Sequence, residues 1–241
     1  MAADAWLDEL LLAYHALDLD GQGSGVAGHL SARLPGASTF WSHRFGTMFG
    51  EMRRAELLEA DFDLNVLRGR PPINPTMHIH TRIYLARPDV NAIVHTHAAN
   101  LTALSAIGAR IEMFMQPVAL FREDIAWLDE YEGIVLGKGE GEVLRDALGA
   151  RNVLVLAGHG LLTVGATVGE AAYRAIRLEA AAGVQLAAMA AGKLRRLPEE
   201  SLRQAQAFSL KVLPMQWAAI CRDTLRRRPG ILGRGGAGAR G

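Results

Sequence analysis

Two short apolar runs that each lead into a histidine constrain this chain more than anything else in it. The first is Asn91-Ala92-Ile93-Val94-His95-Thr96-His97, after an Arg87-Pro88-Asp89 turn; the second, Asn152-Val153-Leu154-Val155-Leu156-Ala157, runs into Gly158-His159-Gly160. Rich in β-branched and apolar residues and bounded by turn residues, both read as buried strands. With 50% hydrophobic and 21% charged residues, the chain is no disordered segment and has a large core in which to bury them.

Side chains alternate faces along a strand, so His95 and His97 point the same way, about 7 Å apart along the backbone. Metal to nitrogen bonds are about 2.0–2.1 Å long, and the rings supply the remaining reach, so both imidazoles can converge on one ion. Alone, a His-x-His reads equally as two ordinary strand histidines, and Gly158-His159-Gly160 as a turn with an incidental one. The conjunction is more informative: glycines leave room for close approach, and a loop after a second buried strand can carry His159 to a neighbouring strand end.

Around these strands, apolar spacing predicts helices over 4–17, 54–59, 75–86, 101–106, 139–148, 168–189 and 199–226. Further strands are expected over 28–34 and 39–42, a hairpin around Pro35-Gly36, with an extended piece at 62–66 and weaker strands at 112–121 and 133–135. The length suits one domain, 1–226, followed by a glycine- and arginine-rich tail, 227–241, with little to bury. A net charge of +1 argues against nucleic acid or an anionic membrane as partner. Cys221 is the only cysteine, so no internal disulfide exists and a reducing compartment fits. No run approaches the roughly 18 apolar residues of a membrane span, and the acidic N-terminus lacks the basic start of a signal peptide, so a cytoplasmic location is expected.

Arg87-Pro88-Asp89-Val90-Asn91-Ala92-Ile93-Val94-His95-Thr96-His97, with Gly158-His159-Gly160-Leu161-Leu162-Thr163-Val164-Gly165, resembles the signature of class II aldolases and the adducin head domain. The resemblance spans about 7–192 and extends to Gly28-His29-Leu30-Ser31-Ala32-Arg33 and to Val168-Gly169-Glu170-Ala171. It implies an α/β fold: three layers, α/β/α, around a central, mostly antiparallel sheet. It also implies a homotetramer with sites near subunit contacts, and His95, His97 and His159 as ligands of one divalent metal ion per subunit, with zinc favoured over manganese, iron or cobalt.

The chain departs from the sugar-phosphate aldolases where they carry their catalytic glutamate, four residues before a helix histidine. Here that position is Thr76 and the histidine is His80, which speaks against proton abstraction by a carboxylate. His80 or His78 is the candidate general base, since an imidazole titrates near neutrality. The family's phosphate-binding turns are also altered: His29 stands for an asparagine, Ser42-His43-Arg44-Phe45-Gly46 occupies the second turn, and Asn74-Pro75 replaces a serine pair. A non-phosphorylated carboxylate substrate follows, met by His29, His43 or Arg44 and bordered by Thr76. Tyr131, within an aromatic and acidic stretch at 121–133, is a candidate proton donor, whereas Tyr173, Arg174 and Arg177 read as packing or assembly surface.

The leading expectation is a metal-dependent lyase that decarboxylates, or cleaves by retro-aldol chemistry, a non-phosphorylated hydroxy- or oxo-carboxylate, with dihydroxyaromatic acids among the candidates. The alternatives are a non-heme iron oxygenase acting on an aromatic or 2-oxo acid and an adducin-like interaction module without catalysis, with an epimerase or dehydratase behind them.

Overall fold

The N-terminal apolar stripe winds into α1 (Ala5–Leu19), in which nine residues are buried, Leu10 and Tyr14 completely. In the computed structural model, residues 5–130 and 137–233 are described. β1 (His29–Ala32) and β2 (Thr39–His43) pair antiparallel around Pro35-Gly36, where Gly36 takes a φ of 76° that glycine adopts without strain. The helix expected over 54–59 is reduced to one 3-10 turn, Arg54–Glu56. The chain then becomes β3 (Leu57–Asp61), since Leu57, Leu58 and Ala60 find buried places in the sheet, paired with the whole of β2. The extended piece expected at 62–66 is a tight turn instead. The Asp61 carboxylate accepts the N–H groups of Asp63 and Asn65, and β4 (Val66–Arg68) follows.

Asn74 caps a 3-10 turn at Pro75–Met77 that leads into α2 (His78–Ala86), which stops before Arg87-Pro88 as expected. Next come β5 (Ala92–Thr96), buried at all five positions, and α3 (Ala99–Ala106). The strand expected over 112–121 does not form. Pro117 can donate no ladder hydrogen bond, and Gln116–Phe121 is a 3-10 stretch that buries Val118, Ala119, Leu120 and Phe121. The piece expected at 133–135 lies outside the described residues. The sheet gains β6 (Ile125–Leu128) instead, followed by α4 (Lys138–Leu148), β7 (Val153–Leu156), β8 (Gly160–Gly165), α5 (Val168–Ala191) and α6 (Glu199–Arg227).

Among the described residues eight strands join one sheet in the order β4-β3-β2-β1-β5-β8-β7-β6, with only β6 and β7 parallel. Each face carries its own core: α1, α3, α5 and α6 cover Leu30, Val94, Val155 and Leu161, while α2 and α4 cover Phe40, Ile93, Leu154 and Leu162. This is the three-layer α/β fold expected. Because β5 and its neighbours run antiparallel, the end of β5, the start of β1 and the start of β8 meet: His29 pairs with His95, and His95 with Leu162. Among the described residues, no helix is long and apolar enough to cross a membrane.

Candidate metal centre

His95 and His97 leave the buried end of β5 on one face, and His159 arrives on the turn between β7 and β8. Gly158 gives that turn its positive φ of 66°, and Gly160 must lack a side chain because a Cβ there would lie 2.5 Å from the Thr96 carbonyl oxygen. One nitrogen from each of the three rings lies within 4.8 Å of the other two. His95 Nδ1–H donates to the Leu161 carbonyl at 3.0 Å, which leaves Nε2 bare, and that nitrogen is 3.4 Å from Nε2 of His159. Two ligands about 2.1 Å from an ion at a tetrahedral angle stand roughly 3.4 Å apart, so this separation fits a metal centre. Burial lowers the proton affinity of all three imidazoles, most strongly for His95, so near neutrality they hold the unprotonated form that a metal binds.

The turn and strand end are held from both sides. Ser24 Oγ accepts the His97 amide, and Thr96 Oγ1 donates to Gln22 at 2.7 Å. From α3, Ser105 Oγ accepts the Gly158 amide, and Thr102 Oγ1 donates to the His159 carbonyl at 3.4 Å. The N-terminus of α3 is itself fixed by Glu179 of α5, whose carboxylate accepts the amides of Asn100 and Leu101.

Of the other residues expected at the site, His29 lies closest: its ring centroid is 4.8 Å from that of His95. His80 is fully buried behind it. Its Nε2 is 2.8 Å from His29 Nδ1 and its Nδ1 2.6 Å from Ser31 Oγ, so both ring nitrogens are engaged and neither can reach a substrate proton. For His80 to act as the expected general base, one of these two contacts would have to open. His78 opens α2 two residues before His80, a spacing that turns its side chain to another side of the helix. His43 lies on the opposite face of the sheet, where Nδ1 meets the Tyr14 hydroxyl at 2.9 Å and Phe49 packs on the ring. Strand alternation puts Arg44 on the α2 side; its Nε donates to the Pro71 carbonyl at 3.2 Å. Thr76 bonds Asn74 Oδ1 through both its amide and its hydroxyl. Tyr131 lies outside the described residues. Sequence reading missed Ser31 and Tyr84, which continue the line beyond His80. Spacing could have found them: His29 and Ser31 alternate on β1, and His80 and Tyr84 stand one helical turn apart on α2.

Residues 8–186 match the family described as Class II Aldolase and Adducin N-terminal domain. The chain belongs to this family. Among its relatives, a decarboxylase, NovR, of Streptomyces niveus is 33% identical over 209 residues, covering 83% of this chain and 77% of that one. A protein of Streptomyces roseochromogenus subsp. oscitans, named 4-hydroxy-3-prenylphenylpyruvate oxygenase/4-hydroxy-3-prenylbenzoate synthase, is 34% identical over 182 residues, 74% of this chain and 66% of that one. In structure the chain is similar to L-fuculose 1-phosphate aldolase from Glaciozyma antarctica PI12, with a TM-score of 0.85 and 29% identity over 94% of this chain and 91% of that one. The class II aldolase fold thus brings together the histidines of β1, β5 and the β7–β8 turn, and the relatives support an enzyme of lyase type.

Proposed function

We propose that this chain is a metal-dependent carbon–carbon lyase that chiefly decarboxylates a non-phosphorylated hydroxy- or oxo-carboxylate, with dihydroxyaromatic acids as the leading substrate class. The triad carries this reading: three neutral imidazoles at metal-ligand spacing, with no carboxylate in the set among the described residues. A divalent ion held by His95, His97 and His159 would keep its full double charge and act as a Lewis acid toward adjacent substrate oxygens. One ion per subunit is expected, zinc ahead of manganese, iron or cobalt. The chain's own residues hold that geometry: Leu161 fixes the His95 tautomer, and Ser24 and Ser105 fix the backbone at the other two ligands.

Decarboxylation fits better than retro-aldol cleavage because Thr76 offers no proton-abstracting group. When carbon dioxide leaves, its bonding electron pair moves toward the neighbouring oxygens and a proton from solvent takes its place on carbon. His29 is the first candidate to meet a substrate oxygen, with Arg44 and Thr76 on the flanking segment. The same reading includes a homotetramer in the cytoplasm, supported by the exposed Phe208, Leu210 and Met215 of α6 and by the single cysteine. Light scattering on the purified protein tests the tetramer.

Similarity to a protein named as an oxygenase favours a second reading, an iron oxygenase on the same triad. One experiment separates the two: metal content of protein purified without oxygen, with carbon dioxide release and oxygen uptake measured on dihydroxybenzoates and 2-oxo acids. Stoichiometric zinc, manganese or cobalt with oxygen-independent carbon dioxide release supports the lyase. Iron with coupled oxygen uptake selects the oxygenase, and metal-free protein overturns both.

A further inference from the structure

Four polar groups buried between β1 and α2 form an unbranched line that ends beside the triad. Tyr84 Oη is 2.8 Å from Ser31 Oγ, Ser31 Oγ is 2.6 Å from His80 Nδ1, and His80 Nε2 is 2.8 Å from His29 Nδ1. None of the four is more than 2% exposed. Such groups must find their hydrogen-bond partners inside the protein, so counting protons fixes the direction of the line.

The Tyr84 hydroxyl has one proton, and Ser31 Oγ is its only hydrogen-bond partner among the described residues, so that proton goes to Ser31. The Ser31 proton then goes to His80 Nδ1, the other partner of Oγ. With Nδ1 accepting, a neutral His80 carries its hydrogen on Nε2 and donates it to His29 Nδ1. A neutral His29 is left with its own hydrogen on Nε2. The reverse polarity would leave the proton of the buried Tyr84 hydroxyl without an acceptor among the described residues. Both rings are sealed from solvent and meet only neutral hydroxyl and imidazole partners, with no carboxylate against them, so the neutral forms are the relevant ones.

A protonated Nε2 has no lone pair, so it can neither ligate a metal nor take a proton. His29 Nε2 has no hydrogen-bond partner among the described residues, and its ring lies 4.8 Å, centroid to centroid, from that of His95. We propose that Tyr84, Ser31 and His80 are positioning residues that lock His29 as a neutral hydrogen-bond donor, and that its Nε2–H meets a substrate oxygen beside the metal centre. A donor fixed in advance meets charge that builds on that oxygen without having to reorient, in the manner of an oxyanion hole. The substrate oxygen as acceptor rests on the lyase reading; the polarity of the line does not.

The polarity is tested on metal-free protein labelled with 15N-histidine, whose nitrogen shifts separate the two tautomers. His29 and His80 are expected with Nε2 protonated and Nδ1 bare; a bare Nε2 on His29 overturns the proposal. In Tyr84→Phe the line loses the donor that sets its direction, so a second tautomer of His29 should appear, and an unchanged single tautomer overturns the locking role. The contact is tested by titrating 3,4-dihydroxybenzoate into cobalt-loaded protein. His29→Ala should keep its metal but bind the probe about 10–100-fold more weakly, whereas His29→Gln, which keeps an N–H donor, should stay within about 5-fold of the parent. Loss of metal in His29→Ala makes His29 a ligand and overturns the proposal, as does equal probe affinity, or no binding at all, in parent and His29→Ala. Metal-free parent protein would sink the lyase reading while leaving the tautomer result to stand or fall alone.

Discussion

Each histidine of the triad has a different tether, and the tethers set what each substitution should do. His95 is fully engaged: its ring is sealed in the sheet, and Nδ1 holds the Leu161 carbonyl. His97 and His159 are half-buried, so truncating either leaves little cavity. His97→Ala and His159→Ala should therefore lower metal content from about one ion per chain to near zero with an unchanged circular dichroism spectrum. A folded variant that keeps its metal would exclude that histidine as a ligand. These three histidines were legible in the sequence because strand period and flanking glycines allow them to converge and the family resemblance names them together. His43 and His80 were legible as histidines but not as to the face they occupy. Residue type does not say which side of β2 meets α1, nor that a helix histidine will be sealed between two partners.

At the scale of elements, the site depends on helices that supply none of its three histidines. α3 begins two residues after His97 and carries Thr102 and Ser105, which hold the turn bearing His159. Its first-turn amides are met by the buried Glu179, so Glu179→Ala should cost roughly 2–3 kcal/mol in urea unfolding and loosen metal retention as well. A stability loss with metal retention unchanged would show that α3 does not position the turn. Gly169 of α5 lies flat against the Trp217 indole of α6, whose Nε1 donates to Glu9 at 2.8 Å. Gly169→Ala should push α6 away, lowering stability by about 1–3 kcal/mol and exposing Trp217 to a fluorescence quencher, with the triad intact. The long helices and the strands β5 and β7 could be read from periodicity. β6 could not: Ile125–Leu128 holds four residues, and only its parallel partner β7 makes it a strand. Nor could the 3-10 stretch Gln116–Phe121, where proline and burial against α5 and α6 override an apolar run that reads as extended.

For the whole molecule, a sheet with both faces covered must keep its interior imidazoles neutral, and this makes the fold sensitive to acid. His43 shows the sign away from the triad: burial pushes it down from 6.5 to about 4, with Nδ1 spent on Tyr14 and Nε2 sealed without a partner. In the unfolded chain it takes up a proton near pH 6.5, while the folded protein resists protonation until about pH 4. Between those limits the unfolded state binds more protons, so stability is full above pH 6.5 and falls as the pH drops. From His43 alone the loss at pH 5 is roughly 2 kcal/mol. Urea midpoints of the metal-free protein should therefore fall between pH 7.5 and pH 5. The fall should be smaller by about that amount in His43→Gln, which replaces the titrating ring with an amide that stays neutral. A parent whose midpoint is flat over this range, or a variant with the same slope, would mean that His43 is protonated inside the fold, and its place between Tyr14 and Phe49 would then need a counter-charge that no described residue supplies.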